Sequence, residues 1–118
     1  MLYDTQNPHG GDLYSRKILL DFSANINPYG TPQAVKEAVA ESVDALRCYP
    51  DPYCRKLVRA IGDFEKVAEN RVFCGNGAAE LIFSCCMALR PQKALVLSPC
   101  FSEYETALKV FGAQVDHY

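Results

Sequence analysis

The run from Ala78 to Leu89 constrains this chain most. It is twelve helix-forming residues without Gly or Pro, and Leu81, Ile82, Phe83, Cys85, Cys86, Met87 and Leu89 spread apolar surface nearly all round it. A helix with no polar face belongs inside a layered fold, buried on more than one side. Before it stands Val72-Phe73-Cys74, a short apolar run of strand length, and Gly75-Asn76-Gly77 joins the two. After it comes a second continuous apolar strand, Ala94-Leu95-Val96-Leu97, the pattern of a sheet covered on both faces. Ser102 and Glu105 are spaced as a capping box for a further helix, Leu108 and Phe111 give that helix an apolar edge, and Gly112 stops it. Ala113 to Tyr118 then reads as a third strand. Strands alternating with helices predict an α/β fold.

The first half is built differently. Residues 1–20 show no periodicity and read as a surface arm, with Lys17 to Leu20 able to start a short strand. Asp21 to Gly30 carries two asparagines, a proline and a closing glycine, which is loop chemistry. Thr31-Pro32 starts a helix, Thr as N-cap and Pro at the first helical position, with Val35, Val39, Val43 and Leu46 along one face. Asp51 and Pro52 start the next in the same way, with Leu57, Val58, Ile61 and Phe64 as its apolar positions and Gly62 weakening or bending it. The division expected is an arm and loop over 1–30 and an incomplete α/β domain over 31–118. Two or three strands leave a sheet's faces uncovered, so the chain reads as the front portion of something larger.

Composition excludes several classes. A net charge of −2 with no basic cluster argues against nucleic acid, and no run approaches the ~18 apolar residues of a membrane span. The N-terminus lacks a signal peptide's basic and apolar regions, so a soluble, cytoplasmic protein is expected. The six cysteines contain no Cys-x-x-Cys pair, and the two histidines lie near opposite ends, so no metal site is expected. Cys74, Cys85 and Cys86 sit in apolar segments and read as buried, reduced thiols.

A strand, a tight glycine turn and a helix bring unpaired N–H groups together at a helix N-terminus, where they and the helix dipole attract an anion such as phosphate. The same glycines also serve an ordinary strand-to-helix turn, and this stretch alone leaves both readings open. A dinucleotide site is disfavoured, because Gly75-x-Gly77 lacks the third glycine and no Gly-x-x-x-x-Gly-Lys occurs.

Five stretches stand in a recognisable order: His9-Gly10-Gly11, Asp21-Phe22-Ser23-Ala24-Asn25-Ile26-Asn27-Pro28-x-Gly30, Tyr49-Pro50-Asp51, Gly75-Asn76-Gly77-Ala78-x-Glu80 and Pro99-x-Phe101-x-Glu103-Tyr104. Together they resemble the class I/II aminotransferase superfamily of pyridoxal-phosphate (PLP) enzymes, closest to threonine-phosphate decarboxylases and histidinol-phosphate aminotransferases. The resemblance runs over nearly the whole chain and about the first third of a family member. It implies the N-terminal part of a PLP-dependent transferase fold, an arm plus the start of the large three-layer αβα domain.

The resemblance also implies roles for individual residues. By it, the backbone amides of Gly77, Ala78 and Ala79 hold the phosphate of pyridoxal 5'-phosphate, and Phe101 stacks on its pyridine ring. Close relatives often carry a polar residue where Ala78 or Ala79 stands; a backbone donor survives that change, while a hydroxyl contact is lost. Tyr49 is implied to reach across a homodimer interface to the partner's PLP phosphate. His9, Gly10 and Asn25 are implied to contact a phosphorylated amino acid substrate, which favours L-threonine-O-3-phosphate decarboxylase of cobalamin biosynthesis over a histidinol-phosphate or other aminotransferase. The family's cofactor-bearing lysine matches none of Lys17, Lys36, Lys56, Lys66, Lys93 or Lys109. The 118 residues alone are thus expected to be an inactive fragment without a catalytic residue. A chain naturally this short would instead be a non-catalytic interaction domain.

Overall fold

The structure, a computed structural model, describes residues 10–14 and 17–118. They divide into two compact units, one of Leu13–Phe73 and one of Cys74–Tyr118 together with 10–12.

In the first unit, 17–20 form no strand, and Leu19 and Leu20 are exposed. The loop after them is held by its own polar side chains. Asp21 accepts hydrogen bonds from the N–H and hydroxyl of Ser23. Asn27 accepts from the Tyr29 N–H at 3.1 Å and donates to the Gly30 carbonyl at 2.8 Å, and the Gly30 N–H returns to the Asn27 carbonyl at 2.9 Å. Gly30 lies at φ +73°, the left-handed value that closes such a turn. Helix α1 spans Gln33–Glu41 with Pro32 at the cap position and no side-chain cap, so Thr31 does not play the part expected of it. It tightens into a 3-10 helix over Ser42–Arg47, where the Ser42 hydroxyl donates to the Val39 carbonyl at 2.8 Å. The stripe of Val35, Val39, Val43 and Leu46 is exposed, and nothing in α1 is buried.

Helix α2 spans Arg55–Glu65, three residues later than Asp51-Pro52 suggests. The delay is a turn in which the Cys54 N–H bonds back to the Asp51 carbonyl at 3.1 Å and Cys54 takes a left-handed φ of 47°. Asp51 still serves the helix start, accepting from the N–H groups of Tyr53 (3.1 Å) and Arg55 (3.0 Å) and pairing with the Arg55 guanidinium at 3.0 Å. Gly62 does not break α2. It is buried because the chain doubles back over it: the Val67 N–H bonds to the Gly62 carbonyl at 3.1 Å, and a Cβ on Gly62 would stand 3.0 Å from the Val67 carbonyl oxygen.

In Val72 to Cys74, a strand by composition, Val72 is extended at φ −108° and ψ 123°. Yet it pairs with no other strand among the described residues, and the Val72 N–H turns back to Glu69 at 3.1 Å. Extended backbone becomes sheet only with a partner ladder.

The second unit holds helix α3 (Ala78–Leu89), strand β1 (Lys93–Val96), helix α4 (Ser102–Val110) and strand β2 (Gln114–His117). The strands pair in parallel, Lys93 opposite Gln114 through Val96 opposite His117, with α4 as the crossover. Against the three strands expected, the described residues form two. The buried apolar residues are Val96 at the end of β1, Ala107 in α4 and Ala113 just before β2. Phe83 of α3 meets Phe111 edge-on, ring centroids 6.5 Å apart.

Both ends of α4 are instructive. Ser102 is its first residue, not its cap; Phe101 takes the cap position, and the capping box does not form. Glu105 turns instead to Lys109 and to His117 on β2, the latter at 3.2 Å. The C-terminus is a Schellman motif: the Gly112 N–H bonds the Lys109 carbonyl at 3.0 Å, the Ala113 N–H bonds the Leu108 carbonyl at 3.0 Å, and Gly112 lies at φ +82°. Helix α3 has the expected bounds but no fully buried residue, because α4 covers only one side of it. Leu95 and Leu97 are likewise exposed. A two-stranded sheet with two helices cannot cover apolar surface on every side.

Glu105 makes the second unit acid-sensitive. The hydrogen bond from Lys109, and then that from His117, hold its carboxyl below the ordinary 4.5. A carboxyl lowered on folding adds stability above its unfolded value and loses it as pH falls through the folded one. The melting temperature should therefore drop on acidification below 4.5, and Glu105→Gln should flatten part of that drop. Asp21, bonded by Ser23, and Asp51, bonded by the Arg55 and Tyr53 amides, are lowered too and keep a residual slope. An acid limb identical in wild type and variant contradicts the assignment.

Candidate functional site

The two glycines before α3 are required for different reasons. Gly77, at the cap position, has φ +92° and ψ 166°, a region that is essentially glycine's alone, with open space around it. Gly75 has no such backbone demand, but a Cβ there would lie 2.8 Å from Leu81 Cδ2 and 3.4 Å from Glu80 Oε2. One glycine sets the direction of entry into the helix and the other lets the loop lie against its first turn. Within the loop, the Gly77 N–H donates to the Gly75 carbonyl at 3.0 Å. The Asn76 N–H donates to the Glu80 carboxylate, and so a side chain in the first turn of α3 reaches back to the residue before the cap.

The N–H groups at the start of α3 have no intrahelical acceptor. Ala78 and Ala79 are exposed and carry only methyl groups, which leaves their amides accessible. Of the amides that open this helix, that of Gly77 already has a partner within the loop. Donor geometry, dipole direction and open approach all suit a phosphate dianion.

Phe101 comes after β1 at the cap of α4, with its ring perpendicular to that of Tyr104 at 6.1 Å and 45% of its surface exposed. It is neither core nor fully solvated. Two apolar hollows flank the Tyr104 and Leu108 side chains. One, of about 370 Å³, lies towards Leu81, Ile82, Cys85 and Cys86 of α3; the other, of about 360 Å³, lies towards β1 and Cys100.

Gly10 is exposed in the same unit, and His9 lies outside the described residues. Asn25 and Tyr49 belong to the other unit. Asn25 is exposed between the Asp21–Ser23 and Asn27–Gly30 turns, and Tyr49 is 93% exposed just past the 3-10 helix. Sequence reasoning missed the contact made by Glu80, although a Glu at the third helical position is a usable signal. All six cysteines are free; Cys85 is exposed, and Cys74 and Cys86 are half-buried, against the expectation of buried thiols. Apolar neighbours in sequence did not bring cover in space. Among the described residues no three His, Cys, Asp or Glu side chains converge on a possible metal, and no helix is long and apolar enough to cross a membrane.

Residues 17–118 match the family described as aminotransferase class I and II, and the chain belongs to that family of PLP-dependent enzymes. It is 36% identical over 115 residues to a threonine-phosphate decarboxylase of Salmonella typhimurium, covering 91% of this chain and 32% of that protein. It is 35% identical over 104 residues to a histidinol-phosphate aminotransferase of a Geobacillus strain, covering 86% of this chain and 28% of that one. Among solved structures, L-threonine-O-3-phosphate decarboxylase from Porphyromonas gingivalis superposes with a TM-score of 0.68 at 25% identity, over 72% of this chain and 26% of that one. The chain thus spans about a third of the length of the curated relatives it matches. Its α/β architecture is that of the N-terminal part of the PLP-dependent transferase fold.

Substituting Gly77 tests the backbone argument. Gly77→Ala should lower the urea-unfolding free energy by about 1–3 kcal/mol, since alanine must be forced into a glycine-only conformation. Unchanged stability would show that the turn does not depend on that conformation.

Proposed function

We propose that this chain forms the cofactor-phosphate cup, ring-stacking surface and substrate-facing loops of a PLP-dependent enzyme acting on a phosphorylated amino acid. The observation that carries the proposal is the Gly75–Gly77 turn, which presents the first amides of α3 to an anion. In this reading the backbone N–H groups of Gly77, Ala78 and Ala79 bind the phosphate, the Gly77 amide exchanging its loop partner for the ligand. Phe101 lies against the pyridine ring, and its edge contact with Tyr104 limits the ring's freedom. Tyr49, exposed and placed by the turn that Asp51 anchors, reaches the phosphate of a second subunit in a homodimer. His9, Gly10 and Asn25 face the substrate's own phosphate, the arm and loop of 1–30 serving the α/β portion of 31–118.

When bound, PLP supplies an electron sink for cleavage at the substrate's α-carbon. The residues of this chain bind and orient; none is assigned the proton transfers. Lys36, Lys56 and Lys109 lie in helices, Lys66 comes directly after α2, Lys93 starts β1 and Lys17 lies in the irregular N-terminal stretch, and Lys109 is paired with Glu105. The favoured reaction is decarboxylation of L-threonine-O-3-phosphate, supported by the relatives bearing that name and by the His9-Gly10 and Asn25 stretches. Transamination of histidinol phosphate is the second reading, favoured by relatives of nearly equal identity.

Two measurements separate these statements. Assayed at the full length its gene encodes, the protein should release CO2 from L-threonine phosphate at least tenfold faster than it transaminates histidinol phosphate with 2-oxoglutarate. The reverse ratio selects the aminotransferase, and neither activity overturns the proposal. Borohydride reduction after PLP treatment, with peptide mapping of the product, should leave all six lysines of residues 1–118 without stoichiometric label. Complete labelling of any one of them would place the cofactor-bearing lysine here.

A further inference from the structure

We propose that Glu80 is the positioning residue of the phosphate cup and acts as a neutral-replaceable acceptor, so that its reach matters and its charge does not. The inference rests on the reading of the α3 N-terminus as a phosphate site. Three observations carry it. The Glu80 carboxylate accepts the Asn76 N–H, tying the residue before the cap to the first turn of α3. Gly75 is packed so closely beneath this pair that a Cβ would touch both Leu81 and the Glu80 carboxylate. Gly77, between the two anchored points, holds φ +92° and ψ 166° with nothing within 4 Å of a Cβ position to fix it sterically. Its conformation is therefore set from both sides: by the Gly77 N–H bond to the Gly75 carbonyl at 3.0 Å and by the Glu80 latch on Asn76.

This arrangement has a cost for an anion site. A carboxylate in the first helical turn favours the helix through the dipole, but it places negative charge beside an incoming phosphate. Had charge been the purpose, a residue in this position would weaken the site it serves. The hydrogen bond explains its presence: with the Asn76 amide held by Glu80, the loop stays folded back and the amides of Ala78 and Ala79 remain the open donors. Glutamine offers a carbonyl acceptor at the same reach without the charge. Aspartate offers the charge without the reach.

The test measures inorganic phosphate binding by amide-shift titration at constant ionic strength in wild type, Glu80→Ala, Glu80→Asp and Glu80→Gln, with far-UV circular dichroism confirming that each is folded. The Ala and Asp variants should bind phosphate about tenfold more weakly, the order expected for losing one hydrogen bond that holds the loop. The Gln variant should bind at least as tightly as wild type. The Asn76 amide proton should move upfield in the Ala and Asp variants only. Wild-type affinity in the Asp variant, or a Gln variant as weak as Ala, would overturn the proposal, and so would an Asn76 resonance indifferent to all three changes. If wild type itself fails to bind phosphate while Asn76 still responds to Glu80→Ala, the latch stands and the cup reading falls, taking the positioning role with it.

Discussion

Parallel pairing of β1 with β2 is the constraint on which the second unit depends. Two parallel strands cannot be joined by a hairpin, so the chain must cross from the end of one to the start of the other over a face of the sheet. Helix α4 makes that crossing, and its one buried residue, Ala107, is fully covered. A side chain larger than alanine there would have to displace its neighbours. The Schellman turn at Gly112 then delivers the chain into β2 in register, and the Glu105–His117 contact fastens helix to strand. Phe101 owes its place to the same crossover, because the residues between β1 and α4 lie at the carboxyl end of a parallel strand, the edge at which such sheets receive ligands.

The α3 N-terminus is organised by shorter-range forces. Its conformation rests on one glycine chosen for its dihedral angles, one chosen for lack of bulk, and a carboxylate that reaches back to an amide. None of these needs the rest of the sheet. Local chemistry can therefore shape the proposed cup while much apolar surface on α3 and β1 remains exposed. The recognition surface and the packing that surrounds it are separable in this chain.

Legibility in the sequence divides along the same line. Helix α3 and its glycine turn are legible because glycine spacing and an uninterrupted helical run are local signals; so is the end of α4 at Gly112. The start of α2 is not, because Asp51 and Pro52 form a turn of their own and Cys54 adopts a left-handed conformation that no propensity announces. The Ser102–Glu105 capping box fails because Glu105 finds better partners in Lys109 and in His117, a residue distant in sequence. Val72–Cys74 has the composition of a strand and Val72 its backbone angles, but pairing is a tertiary property. The burial expected of α3, of the α1 stripe and of the cysteines likewise depends on neighbours that periodicity cannot name. The glycine turn also leaves anion cup and plain turn open, and family membership, not the turn itself, directs the choice towards PLP.

The central claim is that the first amides of α3 hold the phosphate of PLP. The most direct measurement is a comparison of ¹⁵N–¹H amide shifts on adding PLP and on adding pyridoxal, which has the same ring without the phosphate. The cup requires the Gly77, Ala78 and Ala79 amides to shift strongly with PLP and weakly with pyridoxal, with Phe101 responding to both. Equal shifts with the two ligands, or shifts with PLP that leave these three amides untouched, would contradict it.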